Sequence, residues 1–285
     1  MVSFRPPHPP FLQTMRLIIK HLVLLLLGFG LLWAVLSTIP WVRILHIKEN
    51  TEASEEKIGL LLWEQISQSE RVLIGSGVAQ PMDDFLSRLC SQNGLEKSSF
   101  HFHVIENSEV NAFAMPGGHI VMYTGLLEEA QHEDEVIGVL AHEMSHVLLS
   151  HVMESLAAEV GITVLTNMAS GGIGGETLNE MAKFLAKGAY SRSMEEEADR
   201  KAVQLLVGSG ISPIPLANFL KRMTRDDEKG ILNTEWLSTH PDAQIRSKNI
   251  VKWAGADTVT ISPVLSKQRW QRLKVGIGLH DQTTN

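Results

Sequence analysis

Hydrophobic and polar positions divide the chain into stretches of different period. LVLLLLGFGLLWAVLSTIPWV, residues 22–42, carries no charge. About 20 such residues span a bilayer core as a helix, and Trp41 falls where interfacial aromatics sit. The run is longer than a signal-peptide core, and no small-residue cleavage site follows it cleanly. It predicts an uncleaved membrane anchor behind a tail at 1–21, where PPHPP excludes a helix. Arg5, Arg16 and Lys20 precede the run without acids, whereas Arg43, Lys48 and Lys57 follow among acids. That bias favours a cytoplasmic N-terminus and a main domain on the periplasmic or extracytoplasmic side.

Beyond the anchor, helical spacing over 51–74 puts Ile58, Leu61, Leu62 and Ile66 on one stripe, and Gly75-Ser76-Gly77 ends it. A second helix is expected over Met82–Cys90. FHFHVI, 100–105, alternates, with Phe100, Phe102 and Val104 on one face and His101 and His103 on the other, which predicts a strand. Pro116-Gly117-Gly118 reads as a turn before a second strand, HIVMYTG, 119–125. One long helix is expected from Asp134 to about Val160, another over Leu178–Leu206, and a third over 215–223. Residues 161–175 are apolar and then glycine-rich, too short for a second span, and read as a lid, a membrane-touching loop or a plain connection. No internal repeat is visible. The reading is an α+β, mainly helical domain over 43–255, followed by a C-terminal extension over 256–285, with Trp253 and Trp270 expected to be buried.

Of the 285 residues, 25 are basic and 32 acidic, a formal net charge of −7, which argues against a nucleic-acid partner. The lone Cys90 allows no intrachain disulfide and no cysteine-built zinc site.

The chemistry lies in AHEMSH, 141–146. Four residues apart on a helix, His142 and His146 project from one face and can reach one metal ion. Glu143, about 100° round the helix, can hold a water as general base. The alternative is a pair of structural histidines on an amphipathic helix. A catalytic zinc needs a third protein ligand and an open position. In YSRSMEEEADRKAVQLL, 190–206, Glu195 and Asp199 share a helix face, so one can bind metal while the other accepts from a ligating imidazole. The alternative there is an acidic helix start with Ser193 and Glu196 as a capping box. His151 lies about 180° from His142 on a straight helix, cannot join the same site by helix geometry, and is expected to be a packed residue or one in a layer behind the site. His101 and His103 are expected to make an exposed polar face in preference to a second metal site.

Four blocks, NAFAMPGGHIVMYTGLL, VLAHEMSHVLLSH, YSRSMEEEADRKA and LSTHPDAQIR, span residues 111–246. Their combination resembles the membrane-associated zinc metallopeptidases that include the CAAX prenyl endopeptidase, the mitochondrial Oma-type protease and bacterial periplasmic proteases of envelope quality control. The resemblance implies a zincin-like domain with a small sheet beside the H-E-x-x-H helix. It also implies one Zn2+ per chain held by His142, His146 and Glu195, with Glu143 as catalytic base and Asp199 bonded to an imidazole. His240 and Arg246 match a loop that approaches the active site and are candidates for the oxyanion, with the histidine able to gate the metal. His119 stands where a less polar residue is expected, and Ala202 where glycine is common. Substrate is expected to pair as an extended peptide with a free edge of the 119–125 strand, through Asn111, His119, Ile120, Val121 and Met122.

The implied function is a membrane-anchored zinc endopeptidase that hydrolyses misfolded or membrane-associated proteins. A catalytically silent relative acting as a chaperone or binding platform is the alternative, against which the intact Glu143 argues. The acids Glu135, Glu143 and Glu154 argue against an intramembrane protease.

Overall fold

A computed structural model describes residues 11–38, 48–169, 171, 172, 174–228, 235–255 and 263–281. The chain forms two compact units, 1–49 and 50–285. In the first, helix α1 (Phe11–Thr38) carries most of the apolar run, and the side chains of residues 15–31 are all exposed. Among the described residues no single helix is long and apolar enough to cross a membrane.

The second unit is mainly helical, with one three-stranded sheet. Helices α2 (Lys48–Ser69) and α3 (Ser76–Asn93) precede strand β1 (His101–Ile105). Helix α3 begins well before Met82 and ends on Gly94, whose φ of +63° suits glycine. Strands β2 (Ala112–Ala114) and β3 (His119–Tyr123) form a hairpin across Pro116–Gly118. Gly118 is required there: φ is +74°, and a Cβ would lie 1.9 Å from the Ser99 carbonyl oxygen.

The strand order is β1-β3-β2, with β1 parallel and β2 antiparallel to β3. β3 is therefore central, paired along both edges, and has no free edge for a peptide. Residues 119–123 are buried on both faces, Ile120 and Met122 in one hydrophobic cluster and Val121 and Tyr123 in another. A continuous apolar run is what a doubly covered strand needs. His119 is accommodated because His103 Nε2 lies 2.9 Å from its Nδ1, and Trp63 stacks on His103 at 3.6 Å. His101 is exposed, but His103 is half-buried, so this face is only partly the solvated one expected.

Helices α4 (Thr124–Glu129) and α5 (Glu133–Leu148) follow. α5 is buried over most of its length and packs on β2 and on the helices spanning Arg192–Gly208 and Ile214–Glu228. The helix expected to run to Val160 breaks after Leu148. Ser150 takes a left-handed φ of +61°, and α6 (His151–Val160) departs at 62° to α5. No glycine or proline marks this break; a left-handed serine is uncommon and is held by its surroundings. After α7 (Ile162–Ala169) and α8 (Gly175–Lys187), residues 188–191 separate α8 from α9 (Arg192–Gly208), so the expected 178–206 helix is two. The cap of α9 is Ser191, which accepts from Met194 N, and not Ser193.

Helix α10 (Ile214–Glu228) approaches α5 closely at Gly138, where a Cβ would meet Leu216 Cβ at 2.7 Å. Arg222 grips Glu135 with two 2.7 Å bonds between the same helices. Short α11 (Glu235–Thr239) leads to α12 (Ala243–Ala254), which packs on α10 and α9. In the C-terminal stretch, α13 (Lys267–Asp281) places Leu273 and Ile277 in the main core with Leu265, and Val264 N and Leu265 N donate to Glu133. Residues 263–281 are thus part of the same packed unit. Trp253 and Trp270 are partly buried against that core.

Candidate metal centre

Helices α5 and α9 cross so that H-E-x-x-H faces the acidic start of α9. His142, Glu143, His146, Glu195, Asp199 and His240 are each at most 1% exposed. His142 Nε2 and His146 Nε2 lie 3.1 Å apart, because helical periodicity stacks side chains four residues apart. Glu195 carboxylate oxygens lie 3.5 Å from His142 Nε2 and 3.4 Å from His146 Nε2. A tetrahedral zinc with ligands at about 2.0–2.1 Å separates ligand atoms by about 3.3 Å. The two imidazole nitrogens are close to that spacing, and each faces a different oxygen of the Glu195 carboxylate at a similar distance. His240 Nδ1 stands at the remaining corner, 3.3 Å from His142 Nε2 and 2.9 Å from Glu195 Oε1. Among the described residues these four form the one group of histidine, cysteine or acidic side chains placed to hold a metal ion. His101 and His103 do not belong to it.

The other imidazole nitrogens are held from behind. His142 Nδ1 lies 3.0 Å from Asp199 Oδ1, and Asp199 is itself gripped by Arg246 Nε and Nη2 at 2.7 and 2.8 Å. Arg246 also pairs with Glu195 and donates to the His240 carbonyl. Its guanidinium therefore supports the carboxylates, and Nη2 also lies 3.4 Å from both ring nitrogens of His142. Behind His146, Nδ1 lies 3.2 Å from His151 Nδ1, and the ring of Tyr190 stacks on it at 3.9 Å. His151 is not opposite the site, because the break at Ser150 turns it inward.

Glu143 Oε1 accepts from Trp236 Nε1 at 3.3 Å, while its buried Oε2 has no hydrogen-bond partner. A buried carboxylate oxygen without a partner is costly unless something polar meets it. Together with two imidazoles and a carboxylate at tetrahedral spacing, it fits a centre that takes a metal and a water.

Electrostatics follow from burial and charge. Burial raises the pKa of the Glu143 carboxyl, opposed by His240, His142 and Trp236, which suits a proton acceptor working near neutrality. Burial also disfavours ionised Glu195, but His240, Arg246 and both imidazoles outweigh it and hold this carboxyl well below its usual range. Asp199 is likewise held at about 2 against its burial, chiefly by Arg246. Burial pushes His146 well below its ordinary value. For His142, burial and Arg246 oppose the charged form, yet Asp199 and Glu195 raise it to about 9.

The expected substrate residues lie elsewhere than an exposed edge. Asn111, His119, Ile120, Val121 and Met122 are all buried, and Asn111 Nδ2 donates to the Ala186 carbonyl of α8 at 3.0 Å. Ala202 is fully buried in the main core. Trp236, on α11, and Tyr190, between α8 and α9, also join the site, and His151 reaches it through the helix break at Ser150.

A mainly helical α+β domain that sets two imidazoles and a carboxylate at zinc spacing beside a buried glutamate defines a metallopeptidase. Residues 79–254 match peptidase family M48, and the chain belongs to this family of zinc-dependent metallopeptidases. The beta-barrel assembly-enhancing protease of Yersinia pestis is 29% identical over 189 residues, covering 62% of this chain and 39% of that protein. Mitochondrial metalloendopeptidase OMA1 of Saccharomyces cerevisiae is 31% identical over 173 residues, 56% of this chain and 48% of that one. Metalloprotease LoiP of Escherichia coli is 30% identical over 173 residues, 59% and 68% respectively. The match thus spans less than half of the first two relatives. The matched region is a metallopeptidase domain of a family whose cofactor is zinc.

Proposed function

We propose that this chain is a membrane-anchored metalloendopeptidase that cleaves misfolded or membrane-associated proteins, with His142, His146 and Glu195 as ligands and Glu143 as base. One observation carries the assignment: two imidazole nitrogens 3.1 Å apart, each within 3.5 Å of an oxygen of the Glu195 carboxylate, together with the buried, unpartnered Glu143 Oε2. Zinc bound there supplies Lewis-acid activation of water and of the scissile carbonyl. Glu143 takes the proton of the attacking water on Oε2 and returns it to the leaving amine. Trp236 steadies the other oxygen. Asp199 and Arg246 act on the ligands and not on the substrate, so Arg246 is a positioning residue. His240 occupies the corner that an open catalytic site leaves to water, which supports a gating role and requires its side chain to withdraw during turnover.

The peptide would pair with β2, the sheet edge that packs on α5, and not with β3. Asn111 Oδ1, buried and unpartnered at the start of that edge, supports this placement. Pairing by main chain reads little side-chain identity, so accessibility selects unfolded segments. The exposed apolar side chains of α1 support an anchor. The name of the Yersinia pestis relative, which refers to beta-barrel assembly, supports a role in envelope protein quality control.

The test is hydrolysis of an unfolded casein by the full chain in detergent. Chelation should abolish it and zinc should restore it. Glu143→Gln should lower kcat by about 10³-fold or more while zinc content stays at one per chain. Glu143→Gln with wild-type turnover would overturn the assignment.

A further inference from the structure

Among the described residues, the two proposed imidazole ligands are each contacted at their rear nitrogen by a side chain, but by different chemistry. His142 Nδ1 meets a carboxylate, Asp199. His146 Nδ1 meets an imidazole, His151, at 3.2 Å. On an unbroken helix His151 would stand about 140° round from His146 and could not reach it. The left-handed Ser150 and the 62° turn into α6 bring it there, at 3% exposure. His151 Nε2 then points toward Glu197, with Oε2 at 3.7 Å.

We propose that His151 is a positioning residue for the metal centre, accepting the Nδ1 proton of His146 so that Nε2 of His146 presents its lone pair to zinc. This rests on the reading of His146 as a ligand. An imidazole has one proton to place when neutral. If His146 carries it on Nδ1, only Nε2 remains as a donor to metal, and Nε2 is the atom that faces His142 Nε2 and Glu195. His151 accepts on Nδ1, so its own proton resides on Nε2, the side of Glu197. The order Glu197, His151, His146 is thus the counterpart of Arg246, Asp199, His142. The two lines differ in strength. Asp199 and Arg246 are buried, whereas the Glu197 side chain is 61% exposed, so its contribution is small. Tyr190 fixes the tilt of the His146 ring by stacking but offers no acceptor to its edge. Packing alone would ask only for a ring-sized side chain at 151. The hydrogen-bond role asks for an acceptor at that reach, and the distinction is measurable.

The experiment is zinc affinity of the full chain in detergent, read by competition with a chromophoric chelator, for wild type, His151→Phe, His151→Asn and His146→Ala. His151→Phe keeps shape without an acceptor and should bind zinc about 10–100-fold more weakly. His151→Asn keeps an acceptor oxygen on Cγ, where the imidazole carries Nδ1, and should stay within about threefold of wild type. Equal affinity of the phenylalanine variant and wild type would overturn the proposal, as would equal loss in both substitutions. His146→Ala separates the two levels. If it retains wild-type affinity, the ligand assignment itself fails; if it loses zinc while His151→Phe does not, only the role of His151 fails. Should His151→Phe not fold, His151→Leu, which also offers no acceptor, takes its place with the same expected loss.

Discussion

Arg246→Ala tests the structural logic behind the centre most directly. Arg246 is 4% exposed and places two short hydrogen bonds on Asp199, whose side chain is 1% exposed. Removing the guanidinium strands a buried carboxylate and withdraws a cation from Glu195. Loss of one partner of a buried pair costs about 3–5 kcal/mol. A second figure comes from the electrostatics of the carboxyl: against its burial and chiefly through Arg246, Asp199 is held at about 2 where 3.8 is ordinary. At about 1.4 kcal/mol per pKa unit that difference amounts to roughly 2.5 kcal/mol of stability, of which Arg246 supplies most. The expected loss is therefore about 3 kcal/mol in chelator-treated protein, read from urea unfolding with an unchanged m-value. The sign of the pH dependence follows from the depressed carboxyl. Its stabilisation is present above pH 3.8 and disappears as pH falls through about 2, so the wild type should lose it in that window and the variant should have less to lose. Adding Asp199→Ala should cost far less on the Arg246→Ala background than alone, because the stranded charge has already gone unpaired. A loss under about 1 kcal/mol for Arg246→Ala, or strict additivity of the two substitutions, would refute the picture of Arg246 as the buffer of these carboxylates.

Two further expectations rest on other parts of the molecule. Burial, with the neighbouring histidines, lowers His103 to about 3, and burial with His101 lowers His119 to about 4, so both stay neutral in the fold below the pH at which the unfolded chain protonates them. Stability should then fall as pH drops from 6.5 toward 4, by up to about 2 kcal/mol per imidazole at pH 5 before discounting for partial exposure; unfolding at pH 7.5 and 5 should show a smaller difference for His103→Gln than for wild type, and an equal difference would exclude this pair as the source. Trp236→Phe removes the hydrogen bond on Glu143 Oε1 and should lower kcat about tenfold with KM unchanged, as for loss of about 1.5 kcal/mol made to a charged group; a change confined to KM would place Trp236 in substrate binding.

Local periodicity made part of this protein legible. His142 and His146 must share a face wherever residues 133–148 are helical, and so must Glu195 and Asp199 on α9. Those relations depend on 3.6 residues per turn and on nothing distant. The alternation of FHFHVI and the Pro116-Gly117-Gly118 turn are local in the same sense. The sign of the net charge and the single cysteine also excluded whole classes of chemistry before any contact was known.

Tertiary structure decided what periodicity cannot express. β3 is central because β1 and β2 reach it from opposite sides, and that pairing, not its own residues, removes its free edge. The α5 helix ends at Leu148, where Ser150 takes a left-handed conformation that no glycine or proline announces, and His151 becomes a neighbour of His146 as a result. Arg246 carries a charge that sequence could assign to an oxyanion or to a carboxylate; the placement of α12 against α9 and α10 gives it to Asp199. In each case the deciding energy is shared between segments far apart along the chain, so no window of sequence contains it.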